Sequence, residues 1–239
     1  MKMKTIVSYG AGTNSTAMLV GLFERGERPD AILFADTGGE RPSTYEHVLK
    51  VNEWCLMVGF PEIITLRATG KTLEQDCLDR KALPSIAYGF KTCSQRWKKQ
   101  PQDKWMNNND GFKDAIKLLG IDAGEPHRVK DFPNTRYPLV EWDWDRDECV
   151  EAIKRAALPQ PGKSACFFCP SSKPKEILLL RQESPDLLER ALAMEQNAEL
   201  TSIKGLGRNY SWTELINYQD SQIDMFRTLQ ETPCECFDG

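Results

Sequence analysis

Residues 5–9, Thr-Ile-Val-Ser-Tyr, run straight into Gly10-Ala11-Gly12, and the apolar stretch Ala17-Met18-Leu19-Val20 follows almost at once. A β-branched run that ends in a glycine turn and passes into a helix leaves few folds open. Glycine admits the tight turn, and the first turn of a helix presents N–H groups without intrahelical partners, so the junction suits an anion such as phosphate. The alternation then repeats. Ala31–Ala35 is a second short apolar run, closing on Asp36-Thr37-Gly38-Gly39-Glu40. Ser43 or Thr44 is placed to cap a helix reaching Val58, Ile63–Leu66 reads as a third strand, and Thr72-Leu73-Glu74-Gln75 opens a polar helix.

Strands at 5–8, 31–35 and 63–66, with a helix at 16–25 after the first, predict an α/β fold: a Rossmann-like parallel sheet wound with helices. From 80 to 112 the pattern is irregular and polar, and 115–121 is apolar without choosing between helix and strand. Residues 145–157 form a clear amphipathic pattern, and Pro159-Gln160-Pro161-Gly162-Lys163-Ser164 reads as a linker. Beyond it the chain is mostly helical and carries cysteines. The expected division is therefore a nucleotide-binding α/β domain over 1–160 and a helical region over 161–239.

A net charge of −4 gives no general drive toward nucleic acid or an anionic membrane. Lys91, Arg96, Lys98 and Lys99 can still form a local basic patch. No apolar run approaches a membrane span, and no signal-like apolar core precedes Gly10, so a cytoplasmic protein is expected. Eight cysteines in such a compartment call for an explanation other than disulfides. Cys55, Cys77 and Cys149 fall within helical stretches and read as small buried hydrophobes. Cys166 and Cys169, in a C-x-x-C, suit a metal better than a redox pair, since they follow a linker late in the chain. The tail adds Cys234 and Cys236. The two histidines, His47 and His127, give little support to a histidine-based triad or metal centre.

The glycine turn admits three readings. A Walker A loop needs a lysine before the Ser/Thr, and Asn14 stands there instead. A dinucleotide fingerprint is nearly satisfied by Gly10-Ala11-Gly12-Thr13-Asn14-Ser15, with Asp36 as the ribose-binding acid, and the loop alone does not dismiss it. The same residues approximate the pyrophosphate-binding pattern S-G-G-x-D-S, with Asn14 in place of the aspartate. In that reading the backbone of 10–12, the hydroxyls of Thr13, Ser15 and Thr16, and the helix dipole cradle phosphate oxygens.

At this point the chain resembles the phosphoadenosine-phosphosulfate (PAPS) reductase family of the adenine nucleotide alpha hydrolase superfamily. The resemblance is carried by 8–17, by Leu33-Phe34-Ala35-Asp36-Thr37-Gly38-Gly39-Glu40-Arg41-Pro42 with Thr44-Tyr45, and by Thr92-Cys93 through Pro101. It continues in Tyr137-Pro138-Leu139 with Trp142, and in Cys166-Phe167-Phe168-Cys169-Pro170. Residues 120–128 are similar to a G-x-R-x-x-E-S-x-x-R stretch of sulfur-transfer members, with Asp122 replacing the arginine and Pro126 the serine.

The resemblance implies an adenine nucleotide, ATP or a sulfonucleotide, held by Ser8, Gly10, Gly12, Thr13, Asn14, Ser15, Thr16, Asp36, Thr37 and Gly38. Asp36, Arg96 and Cys236 are the catalytic candidates, with Asp36 able to hold Mg²⁺ if ATP is the substrate. It also implies a 4Fe–4S iron–sulfur cluster, or alternatively zinc, on Cys93, Cys166, Cys169 and the tail cysteines Cys234 and Cys236. The activity expected first is reduction of the sulfonucleotide with a thiol electron donor. The alternative is an ATP pyrophosphatase that adenylates an acceptor for sulfur transfer, nucleic acid included among the acceptors. A further alternative is a zinc-stabilised nucleotide-binding protein without catalysis.

Overall fold

The computed structural model describes residues 3–84, 86–87 and 90–231. The Lys91 side chain, Cys234 and Cys236 lie outside what is described. The strands are β1 (Thr5–Tyr9), β2 (Ala31–Ala35), β3 (Ile63–Leu66), β4 (Ile86–Ala87), β5 (Phe90–Lys91), β6 (Ile116–Leu119) and β7 (Thr135–Arg136). The α-helices are α1 (Thr13–Glu24), α2 (Pro42–Met57), α3 (Leu73–Asp79), α4 (Gln100–Asn108), α5 (Pro138–Glu141), α6 (Arg146–Arg155), α7 (Pro174–Glu183), α8 (Pro185–Asn197) and α9 (Trp212–Glu231).

The main sheet has the order β3-β2-β1-β6-β7 and its neighbours are parallel. Both expectations, a parallel sheet and helices wound on it, hold. The chain moves outward from β1 to β3, then returns to the other side of β1 at β6. Such an order reversal parts the loops beyond the carboxyl ends of β1 and β6 and leaves a crevice between them. Pairing with β1 settles the ambiguous apolar run as a strand.

Alternation along each strand sends side chains to two apolar layers. Val7, Tyr9, Ile32, Phe34, Ile63 and Leu118 pack with residues of α1, α2 and α6. Ile6, Ala31 and Leu33 face the other way, onto Met106 of α4 and Ala115, with Trp105 and Phe112 alongside. No helix among the described residues is long and apolar enough to cross a membrane.

The chain divides into two units, one of residues 1–73 and 91–166, the other of 74–90 and 167–239. This differs from a single cut at 160, because 74–90 is tied to the C-terminal helices. Glu74 accepts from Arg190 Nε at 3.0 Å, and Asn197 Nδ2 donates to the Leu78 carbonyl at 2.9 Å. In the same second unit Glu195, 6% exposed, accepts from the N–H groups of Leu206, Trp212 and Thr213. That buried carboxylate satisfies the donors of the turn leading into α9.

Candidate functional site

The turn after β1 is organised by its own side chains. Gly12 caps α1 in an extended conformation, and Ala11 before it has φ 55°. That is the left-handed region, which costs a non-glycine residue about 1–2 kcal/mol. Ser15 Oγ accepts from the N–H groups of Gly10 and Gly12, each at 3.2 Å, and donates to the Gly12 carbonyl at 3.1 Å. Thr16 is fully buried, its Oγ1 3.3 Å from the Tyr9 hydroxyl and 3.0 Å from His47 Nε2. Burial, and secondly the charge of Lys50, pushes the His47 imidazole below its ordinary value of 6.5.

The loop opens on a cleft of about 1480 Å³ contained in the first unit. Ser8, Gly10, Gly12, Thr13, Asn14 and Ser15, six of the residues named for nucleotide binding, line it. Thr16 does not, because the helix turns its hydroxyl into the core. Facing the loop are Gly120, Asp122, Gly124, Glu125 and Arg128 from the segment after β6. Gly120 permits the approach: a Cβ there would fall 2.9 Å from the Ser15 nitrogen and 3.0 Å from its Cα. Asp122, 5% exposed, accepts from Asn14 Nδ2 at 2.8 Å through Oδ2. Asn14 Oδ1 in turn accepts from Arg146 at 3.1 Å, at the start of α6.

Lys98, Lys99, Lys113, Lys117, Arg128 and Arg146 give the cleft a basic rim, but carboxylates already engage several of them. Lys99 and Lys117 share Asp103, at 2.5 and 2.8 Å. Burial works to raise the Asp103 carboxyl, and the bonds from the two lysines outweigh it, leaving its pKa below the ordinary 3.8. Arg128 bonds Glu125 at 2.5 Å and Lys98 bonds Glu40 at 2.9 Å. A polyphosphate entering the cleft must compete with these partners or bring a cation of its own.

The stretch after β2 behaves differently. Asp36, Thr37 and Gly38 do not line the cleft. Asp36 Oδ1 accepts from the Gly38 N–H at 2.7 Å and the Tyr45 hydroxyl at 2.8 Å. Its Oδ2 accepts from Arg67 Nε at 3.1 Å and Nη2 at 3.0 Å. With both oxygens doubly bonded and the side chain 2% exposed, the carboxylate has no capacity left for Mg²⁺ or a ribose hydroxyl. Thr37 Oγ1 lies 3.1 Å from Cys166 Sγ, and Glu40 forms an antiparallel bridge to Cys166. The stretch is an internal latch between the sheet end and the segment before the second unit.

Arg96 lines a separate groove with Arg67, Lys104 and Trp105, outside the cleft. Cys93 is half-buried at the entrance to a π-helical turn, Ser94–Lys99, and Cys166 sits in the latch. Cys169 belongs to the second unit, where its carbonyl accepts from the Ser172 N–H at 2.9 Å. Among the described residues no three His, Cys, Asp or Glu side chains are grouped to hold a metal ion. Two of the cysteines expected to hold the cluster or zinc, Cys234 and Cys236, lie outside the described residues. Cys55 and Cys149 are buried in the core, and burial pushes both thiols up to about 12. Cys77 is buried as well.

The sequence reading missed the Asp122–Asn14–Arg146 chain. Its signal was present, since position 14 departs from the loop pattern by losing an acid and position 122 departs from the second pattern by gaining one.

No family model matches the chain. It is 25% identical over 212 residues to an uncharacterized nin region protein, ORF290, of Escherichia phage lambda, covering 77% of this chain and 72% of that one. Among solved structures, the U34-tRNA thiolase NcsA from Methanococcus maripaludis with its 4Fe–4S cluster aligns over 92% of this chain and 81% of its own. Its sequence identity is 14% and its TM-score 0.43, a likeness too loose to bear on function.

Proposed function

We propose that the first unit binds ATP in the cleft and activates an acceptor by adenylation, in the manner of a pyrophosphate-loop ATP pyrophosphatase. One observation carries this reading. The Gly10–Ser15 turn and the start of α1 open together on a cleft at the point where the strand order reverses, and among the described residues no cysteine lines that cleft. The loop and the helix end stabilise the β- and γ-phosphates. An acceptor oxygen then attacks the α-phosphorus, the bond to the bridging oxygen breaks, and pyrophosphate leaves. A sulfur or nitrogen nucleophile displaces AMP afterwards.

Sulfonucleotide reduction, the activity expected first, needs a thiolate beside the sulfate sulfur. The tail cysteine Cys236 that would supply it lies outside the described residues. Sulfur chemistry in this reading rests on the family resemblance. The cysteines take no part in the adenylation step.

Competition calorimetry with ATP and PAPS tests the choice. ATP is expected to bind and PAPS to compete weakly. Tight PAPS binding without ATP binding, together with sulfite release when a dithiol is added, would overturn adenylation in favour of reduction.

A further inference from the structure

Two departures from the sequence patterns touch each other in space. Position 14 carries an amide where the loop pattern has an acid, and position 122 carries an acid where the second pattern has an arginine. The Asn14 amide donates to Asp122 Oδ2 at 2.8 Å, so a negative charge stands against the loop although the loop has none of its own.

We propose that Asp122 supplies the carboxylate that holds the divalent cation accompanying a nucleotide in this cleft, a proposal that rests on the nucleotide reading above. Asp122 lines the cleft, and its other oxygen, Oδ1, is buried with no hydrogen-bond partner among the described residues. A buried carboxylate oxygen left in that condition is unfavourable, and its presence calls for a partner. Mg²⁺ is commonly held by one or two carboxylates together with substrate phosphates and water, so a single acid at this place suffices. Asp36, the acid expected from the sequence, is fully engaged with Arg67, Tyr45 and Gly38. Arg146 fixes the arrangement through Asn14 Oδ1 at 3.1 Å, which orients the amide so that its nitrogen faces Asp122. A cation on Asp122 would offset phosphate charge in the cleft and spare the rim lysines from leaving their own carboxylates.

ATP affinity measured by calorimetry in EDTA and in Mg²⁺ tests this. Mg²⁺ is expected to tighten ATP binding to the native chain by about tenfold, an ordinary coupling between two ligands. Asp122→Asn should lose most of the Mg²⁺-dependent gain, read as the ratio of its own affinities in Mg²⁺ and in EDTA. The exchange variant Asn14→Asp with Asp122→Asn, which returns the acid to the loop, should recover it. Should Asp122→Asn fail to fold, the Asn14→Asp/Asp122→Asn exchange still decides: no Mg²⁺-dependent gain in a folded exchange variant overturns the proposal. An undiminished gain in Asp122→Asn overturns this proposal and leaves the nucleotide reading standing. No ATP binding to the native chain in either condition overturns both.

Discussion

Two turns follow adjacent strands of the same sheet, both rich in glycine and hydroxyl residues, and they do opposite things. After β1, Gly10–Ser15 faces an open cleft; Ser15 Oγ ties Gly10 and Gly12 from inside the turn, and Asn14 is held by Asp122 and Arg146. After β2, Asp36–Glu40 is buried and spends its polar groups on Arg67, Tyr45, Lys98 and the Cys166 segment. A sequence reading assigns both to the nucleotide because both sit at strand ends on the carboxyl side. The contrast lies in the topology: the order reversal between β1 and β6 leaves a cleft at the first turn, while the second turn is closed by its own partners.

The sharpest way to break that contrast is Asp36→Ala. Removal leaves the Gly38 N–H and the Tyr45 hydroxyl without their acceptor and exposes Arg67 to no partner at that point. The expected loss of stability is about 2–4 kcal/mol, read as a fall in the urea midpoint at unchanged slope. In the protein that remains folded, ATP affinity should change by less than about twofold, since the coupling between such separate sites is small. Retained stability with lost affinity would make the second turn a binding surface after all.

How much of this was legible follows from the range of the interactions. β2 and β3 are local apolar runs bounded by polar turns, and the sequence marks both ends of each. The helix after the first turn was placed a few residues late, because Thr13 and Asn14 look like loop residues until Gly12 is known to cap them. α4 was lost in an irregular stretch: its buried residues are Pro101, Gln102 and Met106, and the π-helical turn before it, which buries Trp97, disturbs the usual helical spacing. β7 is two residues long and exists through its pairing with β6. In the site, the loop was recognisable from its glycines. Which hydroxyls face the cleft was not, because Thr16 and Ser15 are neighbours in sequence and point to different places only once α1 has a defined rotation. The contact between Asn14 and Asp122 spans over a hundred positions and is set by the parallel pairing of β1 with β6.

A smaller effect probes what lies under the first turn. His47 accepts or donates one bond to Thr16 and is buried, so its imidazole is held below 6.5. The unfolded chain then takes up the proton more readily than the folded one. Stability is complete above about pH 6.5 and falls as the pH drops below it toward the folded pKa, by at most about 1.4 kcal/mol per pH unit. His47→Gln should flatten that dependence in urea melts between pH 7.5 and 5.5, values chosen to span the ordinary histidine range. An unchanged slope would place the titrating group elsewhere and leave the floor of the loop indifferent to pH.

The least effect, and the most direct on the first turn, belongs to Ala11. Its φ of 55° sets a left-handed penalty of about 1–2 kcal/mol against the extra freedom that glycine gives the unfolded chain, about 0.4–1 kcal/mol. Ala11→Gly should therefore raise stability by roughly 0.5 kcal/mol, the difference of those two terms. The position of the loop N–H groups does not depend on this residue, because Ser15 Oγ holds Gly10 and Gly12 from inside the turn. ATP affinity should accordingly stay within about twofold, as expected where backbone strain is not part of the binding geometry. A variant that is more stable but binds ATP much more weakly would show the opposite: that the strained alanine keeps the turn open to the cleft, and that the first turn differs from the second in stored strain as well as in exposure.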